Sequence, residues 1–458
     1  MKEKAGCDSP LDSAGRNVRD FGAAGDGKAK DTAAIQQAVD AGGMVYFPPG
    51  VYLSGTIYLK SNGGLNLAPG AVLKASPDYG DFNAPDFCPQ NSWSKPEFST
   101  GKHLLVALEQ ENITLCGGGR IEGNFPAFML LDKPLKEFMP GVYDVAPGGK
   151  LGQMLFFCES NKITIRDIEL ADSSYWHCFL HGCEDVIIAG LRIYGDRHVN
   201  TNDGIDIDCC RNVTVSDCII DVADDAIAIR GNWKKLKTRR PCENIVVSNC
   251  VLSAGYACAV RVGVGDGIIR NCLFNNIVVP HAGVALLVQS RYGLESEGVA
   301  ISDVHFSNIR IVESKRPFSL YLESKSLSGR KDFQQCAKTD SGITFSDIKA
   351  SGKRTCFIAG NGRGIMRDIR FKNMILDYVG CGVCPEIDPE TGWFGHASTE
   401  AVIDLEKADD IRFENVEVNI TNDNPGWRYA VRAVDCKNVL LNECKAARDI
   451  VINGDKLK

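Results

Sequence analysis

No apolar run in this sequence approaches the roughly 20 residues that a bilayer-spanning helix requires, so no membrane span is expected. An excess of basic charge is missing as well. Lys and Arg number 51 against 58 Asp and Glu, a formal net charge of −7, whereas contacts to phosphate need a basic surface. Nucleic acid is thereby excluded as the main partner. The first residues, Met1 to Pro10, are polar and lack the apolar core of a signal peptide. The expected setting is therefore secreted or periplasmic, with a leader already removed, or else cytoplasmic. No bound metal and no cofactor is expected, and nothing in the sequence speaks to the oligomeric state.

Cysteine, by contrast, is abundant. Nineteen of them would suggest disulfides in a secreted chain, yet the count is odd and several recur at one place of an internal repeat. For Cys218, Cys250 and Cys272 the expected arrangement is an interior ladder of buried thiols. Cys381 and Cys384 form a lone CxxC in a Gly/Pro loop, read as an ordinary loop or a local disulfide.

The repeat sets the architecture. From about residue 110 onward one short pattern returns: Asn161-Lys-Ile-Thr-Ile-Arg-Asp-Ile, Asn212-Val-Thr-Val-Ser-Asp-Cys-Ile, Asn244-Ile-Val-Val-Ser-Asn-Cys-Val, Ile268-Ile-Arg-Asn-Cys-Leu, Val304-His-Phe-Ser-Asn-Ile, Ile343-Thr-Phe-Ser-Asp-Ile, Ile369-Arg-Phe-Lys-Asn-Met, Ile411-Arg-Phe-Glu-Asn-Val and Val439-Leu-Leu-Asn-Glu-Cys. Each copy alternates apolar and polar residues and then bends at Asn or Asp, which describes strand, corner, strand. Returns of roughly 20 to 35 residues match the turns of a parallel β-helix, the longer ones carrying loops. Sandwich and propeller folds lack this period.

The first 75 residues read differently. Asp31-Thr-Ala-Ala-Ile-Gln-Gln-Ala-Val-Asp-Ala is a short amphipathic helix with Asp31 at its N-cap, followed by strand-like runs to Ala71-Val-Leu. A solenoid needs a cover over its open end, and this helix supplies it. The expectation is an all-β, single-stranded right-handed parallel β-helix: a flexible tail over residues 1–15, then one domain over 16–458, with a cap to residue 75 and coils from 76.

Three successive coils carry the chemistry-bearing residues. Aligned, they read Asp203-Gly-Ile-Asp-Ile-Asp, Asp225-Ala-Ile-Ala-Ile-Arg and Cys258-Ala-Val-Arg-Val-Gly. Ile205 and Ile207 match Ile227 and Ile229 as inward residues, which turns Asp206 and Asp208 outward over Ala228 and Arg230. Coils lie about 4.8 Å apart, so Asp203, Asp224 and Asp225 crowd into one patch. Like charges that near cannot all ionise, so one carboxyl retains its proton while the others activate water. That is the equipment of glycoside hydrolysis. Corner Asp residues also bond local backbone or bind calcium, the bland alternative.

At these residues the chain resembles glycoside hydrolase family 28, the polygalacturonase and rhamnogalacturonase family. The likeness rests on Thr201-Asn-Asp-Gly-Ile-Asp-Ile-Asp, close to the family's Asn-Thr-Asp-Gly stretch, and on Ala223-Asp-Asp-Ala-Ile-Ala-Ile-Arg-Gly. It extends to Asp20-Phe-Gly-Ala-Ala-Gly-Asp-Gly in the cap. The resemblance implies an inverting hydrolase acting on an oligo- or polysaccharide, with Asp224 as general acid and Asp203 and Asp225 holding the nucleophilic water. Two family motifs are missing: Ala257-Cys-Ala stands in place of Gly-His-Gly, and Ala285 and Leu287 in place of the Arg-x-Lys pair that grips a uronate carboxylate. Plain homogalacturonan is therefore not the expected substrate.

Substitute contacts are sought nearby. Arg230 and Arg261 project from the same sheet as the acids, as candidates for an anion contact, and Asp206 and Asp208 are candidates for substrate contact. Trp176, one coil earlier, together with Tyr175 or Trp233, could stack on a sugar. His181, aligned with Asp208, and His198 are candidates for the missing histidine's place. Lys234, Lys235, Lys237, Arg239 and Arg240 form a basic loop beside them. Two competing functions share the fold: a polysaccharide lyase or uronate epimerase, and a non-catalytic carbohydrate-binding β-helix.

Overall fold

The computed structural model describes residues 15–91, 97, 99–134, 142–294, 296–323, 333–379, 398–421 and 426–457. Residues 1–14 of the tail expected over 1–15 and the Cys381/Cys384 pair lie outside them. Nearly every strand is parallel to its neighbours and pairs with the equivalent strand one coil away. One coil runs from β1 (Cys178–His181) through Glu184–Ala189, bends into Arg192–Tyr194, and returns by a loop to β2 (Ile205–Asp208), which lies directly on β1. Winding this way gives a 14-stranded sheet with one strand per coil and a 22-stranded sheet folded along a corner. The expected parallel β-helix is the fold. No helix among the described residues is long and apolar enough to cross a membrane.

The corners explain the recurrent Asn and Asp. Asp217, Asn249, Asn276 and Asn308 all adopt left-handed backbone with φ between 51° and 57°. That region is costly for most residues but open to Asn and Asp, whose short side chains bond locally. The amides then bond coil to coil: Asn276 Nδ2 donates to Asn249 Oδ1 at 2.6 Å, and Asn308 Nδ2 to Asn276 Oδ1 at 3.2 Å. Inside, equal residues stack likewise. Phe274, Phe306, Phe345, Phe371 and Phe413 form a column with successive ring centroids 4.9, 4.9, 5.2 and 4.8 Å apart.

The expected cysteine ladder is not a single column. Cys218 stacks on Cys250, but the next residue in that column is Ile277, whereas Cys272 lies between Ile245 and Val304. A second column goes unnoticed in the sequence: Cys183, Cys210 and Cys242 follow one another, with the Cys183 N–H donating to Cys210 Sγ at 3.3 Å. Every cysteine among the described residues is unbridged, and all but Cys444 are buried.

The capping helix α1 spans Thr32–Asp40 and buries Ile35, Ala38 and Val39 in the interior of the solenoid. Asp31 holds the N-cap position without capping the helix. Its carboxylate instead accepts the N–H groups of Ala24 at 2.6 Å and Gly25 at 3.1 Å, tying the preceding loop to the helix start.

Candidate active site

Three strands of the 14-stranded sheet hold the site: β2, β3 (Ile227–Gly231) and β4 (Cys258–Gly265). The registers are those read from the sequence, with Asp206 on Ala228, Asp208 on Arg230, Ala228 on Arg261 and His181 on Asp208. Asp203 ends the loop entering β2, and Asp224 and Asp225 end the loop entering β3. Asn202 locks the two loops together. Its Oδ1 accepts the N–H of Ala223 at 2.8 Å and of Asp224 at 3.3 Å, while its Nδ2 donates to the Asp196 carbonyl at 2.8 Å. Gly204 is required by close approach, since a Cβ there would lie 2.4 Å from the Ala226 carbonyl oxygen.

The acids are brought together as expected. One carboxylate oxygen each of Asp203, Asp224 and Asp225 lies within 4.8 Å of the others. Arg230 bridges the group, donating from Nη2 to Asp203 Oδ2 at 2.9 Å and from Nε to Asp206 Oδ1 at 2.5 Å, with Asp225 at 3.9 Å. Arg261 Nη1 lies 3.0 Å from Asp225 Oδ2, and the Cys258 N–H donates to Asp225 Oδ1 at 3.0 Å. Among the described residues no Lys or Arg nitrogen comes within 4.0 Å of Asp224, the one member of the triad that is not fully buried. By ligand count the triad could hold a cation, but two guanidinium groups already supply positive charge there.

Burial, reinforced by the Asp224 carboxylate, pushes Asp203 well above the usual carboxylate range. Burial and then the neighbouring Asp225 do the same to Asp224, against the opposing pull of Arg261. Asp206 rises to about 7 because burial outweighs Arg230. Asp208 goes the other way. Burial opposes its charge, but the His181 ring at 3.6 Å and two hydrogen bonds from Asn232, at 2.7 and 2.9 Å, together win and hold it low.

A cleft of about 420 Å³ opens over the triad. Tyr175, Trp176, Tyr256 and Tyr292 line it with the acids, as do Thr201, Lys234, Lys235, Arg230 and Arg261. The Arg230 guanidinium lies 4.4 Å from the Trp176 ring centroid, so that ring packs on the cation that holds Asp203. Asp206 is completely buried beneath Arg230, and Asp208 anchors Asn232 and the basic loop. Neither candidate histidine lines the cleft: His181 is buried against Phe179, and His198 is exposed, 2.9 Å from Asp196 and packed on Tyr143. Trp233 packs into the apolar cluster under the loop, and Lys237 pairs with Glu109. Glu97 and Tyr292 come from loops without periodicity, and no signal in the sequence marks them. Tyr256 stands just before the Ala257-Cys-Ala stretch, and that position alone could have suggested it.

Comparison with known proteins finds relatives of the chain as a whole. The family model described as Glycosyl hydrolases family 28 matches residues 94–380, and one described as Rhamnogalacturonase A/epimerase, pectate lyase-like, matches residues 15–84. A probable polygalacturonase of Vitis vinifera is 24% identical over 318 residues, covering 65% of this chain and 61% of that protein. An exo-poly-alpha-D-galacturonosidase of Dickeya chrysanthemi is 26% identical over 304 residues, covering 57% and 50%. The chain thus spans about half to three-fifths of the length of these relatives. The family 28 exopolygalacturonase of Yersinia enterocolitica shares the fold with a TM-score of 0.69 at 20% identity, covering 93% of this chain and 78% of that one.

Proposed function

Because this chain belongs to the glycosyl hydrolases of family 28, we propose that it hydrolyses a glycosidic bond of a pectic oligo- or polysaccharide, with Asp224 as general acid. The observation that carries the reading is the unequal charge pairing within the triad. Asp203 and Asp225 each face a guanidinium at 2.9 or 3.0 Å, whereas Asp224 has none within 4.0 Å among the described residues. Burial and repulsion require the cluster to keep a proton, and Asp224 is where it costs least. Asp224 passes that proton to the glycosidic oxygen as the bond to the anomeric carbon breaks. Water, held by Asp203 and Asp225, attacks that carbon and gives up its own proton to them.

The family resemblance favours inversion at the anomeric carbon. A separation within 4.8 Å favours the other outcome, since inverting carboxylates commonly stand roughly 6.5–9.5 Å apart and retaining ones about 5–5.5 Å. Proton NMR of the first-formed anomer decides between them.

Two features bear on substrate. Ala285 and Leu287 are buried and apolar, and Leu287 stacks directly on Arg261, so a cation is offered one coil before the missing pair. A substrate other than plain homogalacturonan fits this altered contact. Outward residues of the same sheet are also covered on both sides of the cleft: Val106 and Phe156 before it, Leu287 and Ser319 after it, none more than 1% exposed. Among the described residues these four leave no outward side chain of that column open beside the cleft, which favours entry of a chain end, and the Dickeya relative is named for exo action. A pectic substrate fits a secreted or periplasmic enzyme.

The test is a product screen of wild type and Asp224→Asn on galacturonate- and rhamnose-terminated pectic oligosaccharides, reading reducing ends and ultraviolet absorbance together. New reducing ends without absorbance, lost in the variant, are expected. Absorbing unsaturated products would mean a lyase, and binding without turnover in both proteins would mean a carbohydrate-binding protein.

A further inference from the structure

We propose that the Thr201 hydroxyl is a substrate-contacting hydrogen-bond donor, and that the buried ammonium of Lys150 orients it; the assignment rests on the glycosidase reading. Lys150 is only 2% exposed and is fixed by its backbone, whose carbonyl accepts the N–H and the hydroxyl of Thr100 at 3.0 and 2.9 Å. Its Nζ donates to Thr201 Oγ1 and lies 5.3 Å from the centroid of the Tyr175 ring. Among the described residues no carboxylate comes within 4.0 Å of that nitrogen. An ammonium this buried, beside a neutral hydroxyl rather than an acid, is unusual enough to need a reason.

The reason lies in the direction of the bond. An ammonium has three donors and no acceptor, so the Thr201 oxygen must accept from Lys150 and cannot donate back to it. Its own proton is thereby turned away from Lys150. Thr201 forms part of the cleft wall, two residues before Asp203, and the space on its far side is the cleft. A threonine hydroxyl normally rotates to suit either a donor or an acceptor. This one is committed to donating, and its partner is an acceptor oxygen of the sugar bound over the acids. Lys150 itself does not line the cleft and is a positioning residue.

The groups facing Lys150 are Thr201, the Tyr175 ring, and the carboxylates of Glu97, Asp224 and Asp203. Burial brings the ammonium down to about 8, and those carboxylates resist the fall. Above that pH the neutral amine can accept the Thr201 proton, and the commitment to donate disappears.

The experiment measures kcat and KM on a galacturonate-terminated pectic oligosaccharide from pH 5 to 9 for wild type, Thr201→Val, Thr201→Ser and Lys150→Met. Thr201→Val should raise KM on the order of tenfold, the size of one buried hydrogen bond, and Thr201→Ser should restore it. Wild type should show a rise in KM above about pH 8 that Thr201→Val lacks. An unchanged KM in Thr201→Val, or a serine variant as poor as the valine one, overturns the proposal. Should Lys150→Met fail to fold, the two Thr201 variants still decide. If wild type turns over nothing, the glycosidase reading fails separately, and calorimetric binding of the same oligosaccharide to wild type and Thr201→Val still tests the donor.

Discussion

Along the corners of the solenoid like meets like: Asn308 bonds Asn276, and Asn276 bonds Asn249, each coil supplying the partner of the next. The outward column through the site is built on the same coil spacing, yet Phe179, Asp206, Ala228, Arg261 and Leu287 follow one another with no two alike. In the first region every bond is repeated, and losing one leaves its neighbours in place. In the second, Arg230 alone among the described residues pairs with Asp203 and Asp206, and only Asp225 has a second arginine, Arg261 of the next coil. Repetition spreads stability over the corners and the aromatic column. Its suspension over a few coils is what leaves buried charges short of partners, and hence reactive.

The sharpest way to break this contrast is Asp224→Asn. Removal of a general acid should lower kcat by roughly 10²–10⁴-fold while the melting temperature stays the same or rises, because a half-buried carboxyl crowded by Asp225 and without a cation beside it is replaced by a neutral amide. A matching loss of stability would mean that Asp224 is part of the scaffold after all.

Phe345→Ala tests the opposite region. It removes one ring from the middle of the stack, where Phe306 and Phe371 lie 4.9 and 5.2 Å away, and should cost about 3–5 kcal/mol in urea unfolding with KM unchanged. Asn276→Ala should cost less, about 1–2 kcal/mol, through the left-handed backbone at φ 54° and the loss of two amide bonds.

The sequence disclosed the register of the site because strand periodicity is two. Once Ile205 and Ile227 are matched as inward residues, Asp206 must lie on Ala228, and Asp208 between His181 and Arg230. It misplaces Cys272 for an equally physical reason. The coils of Asn244 and Asn249 and of Asn271 and Asn276 each have two Asx corners, and Asn271 at the first looks locally like Asn249 at the second, so a short match cannot tell them apart. The walls of the cleft are illegible because Glu97 and Tyr292 come from loops, whose positions depend on packing that no period announces. His181 has the register that the strand pattern implies but not the exposure, because its ring is buried against Phe179.

The finest test concerns Asp206, which stands between the two regions: a strand residue in perfect register, and a charge held by one arginine. Its carboxyl is raised to about 7 in the folded protein, above its value of about 4 when unfolded. The folded state therefore binds the extra proton between those values, and the stability linked to this group is fully present at low pH and lost as pH rises toward 7. Asp206→Asn has no such titration. Its melting temperature relative to wild type should accordingly climb between pH 4 and pH 7 and level off above, by a few degrees, in calorimetric scans at matched ionic strength. A difference that is flat with pH would mean that Arg230 already keeps Asp206 ionised at no cost. In that case the outward column at the site would be as fully satisfied as the corners, and the contrast between the two regions would rest on Asp224 alone.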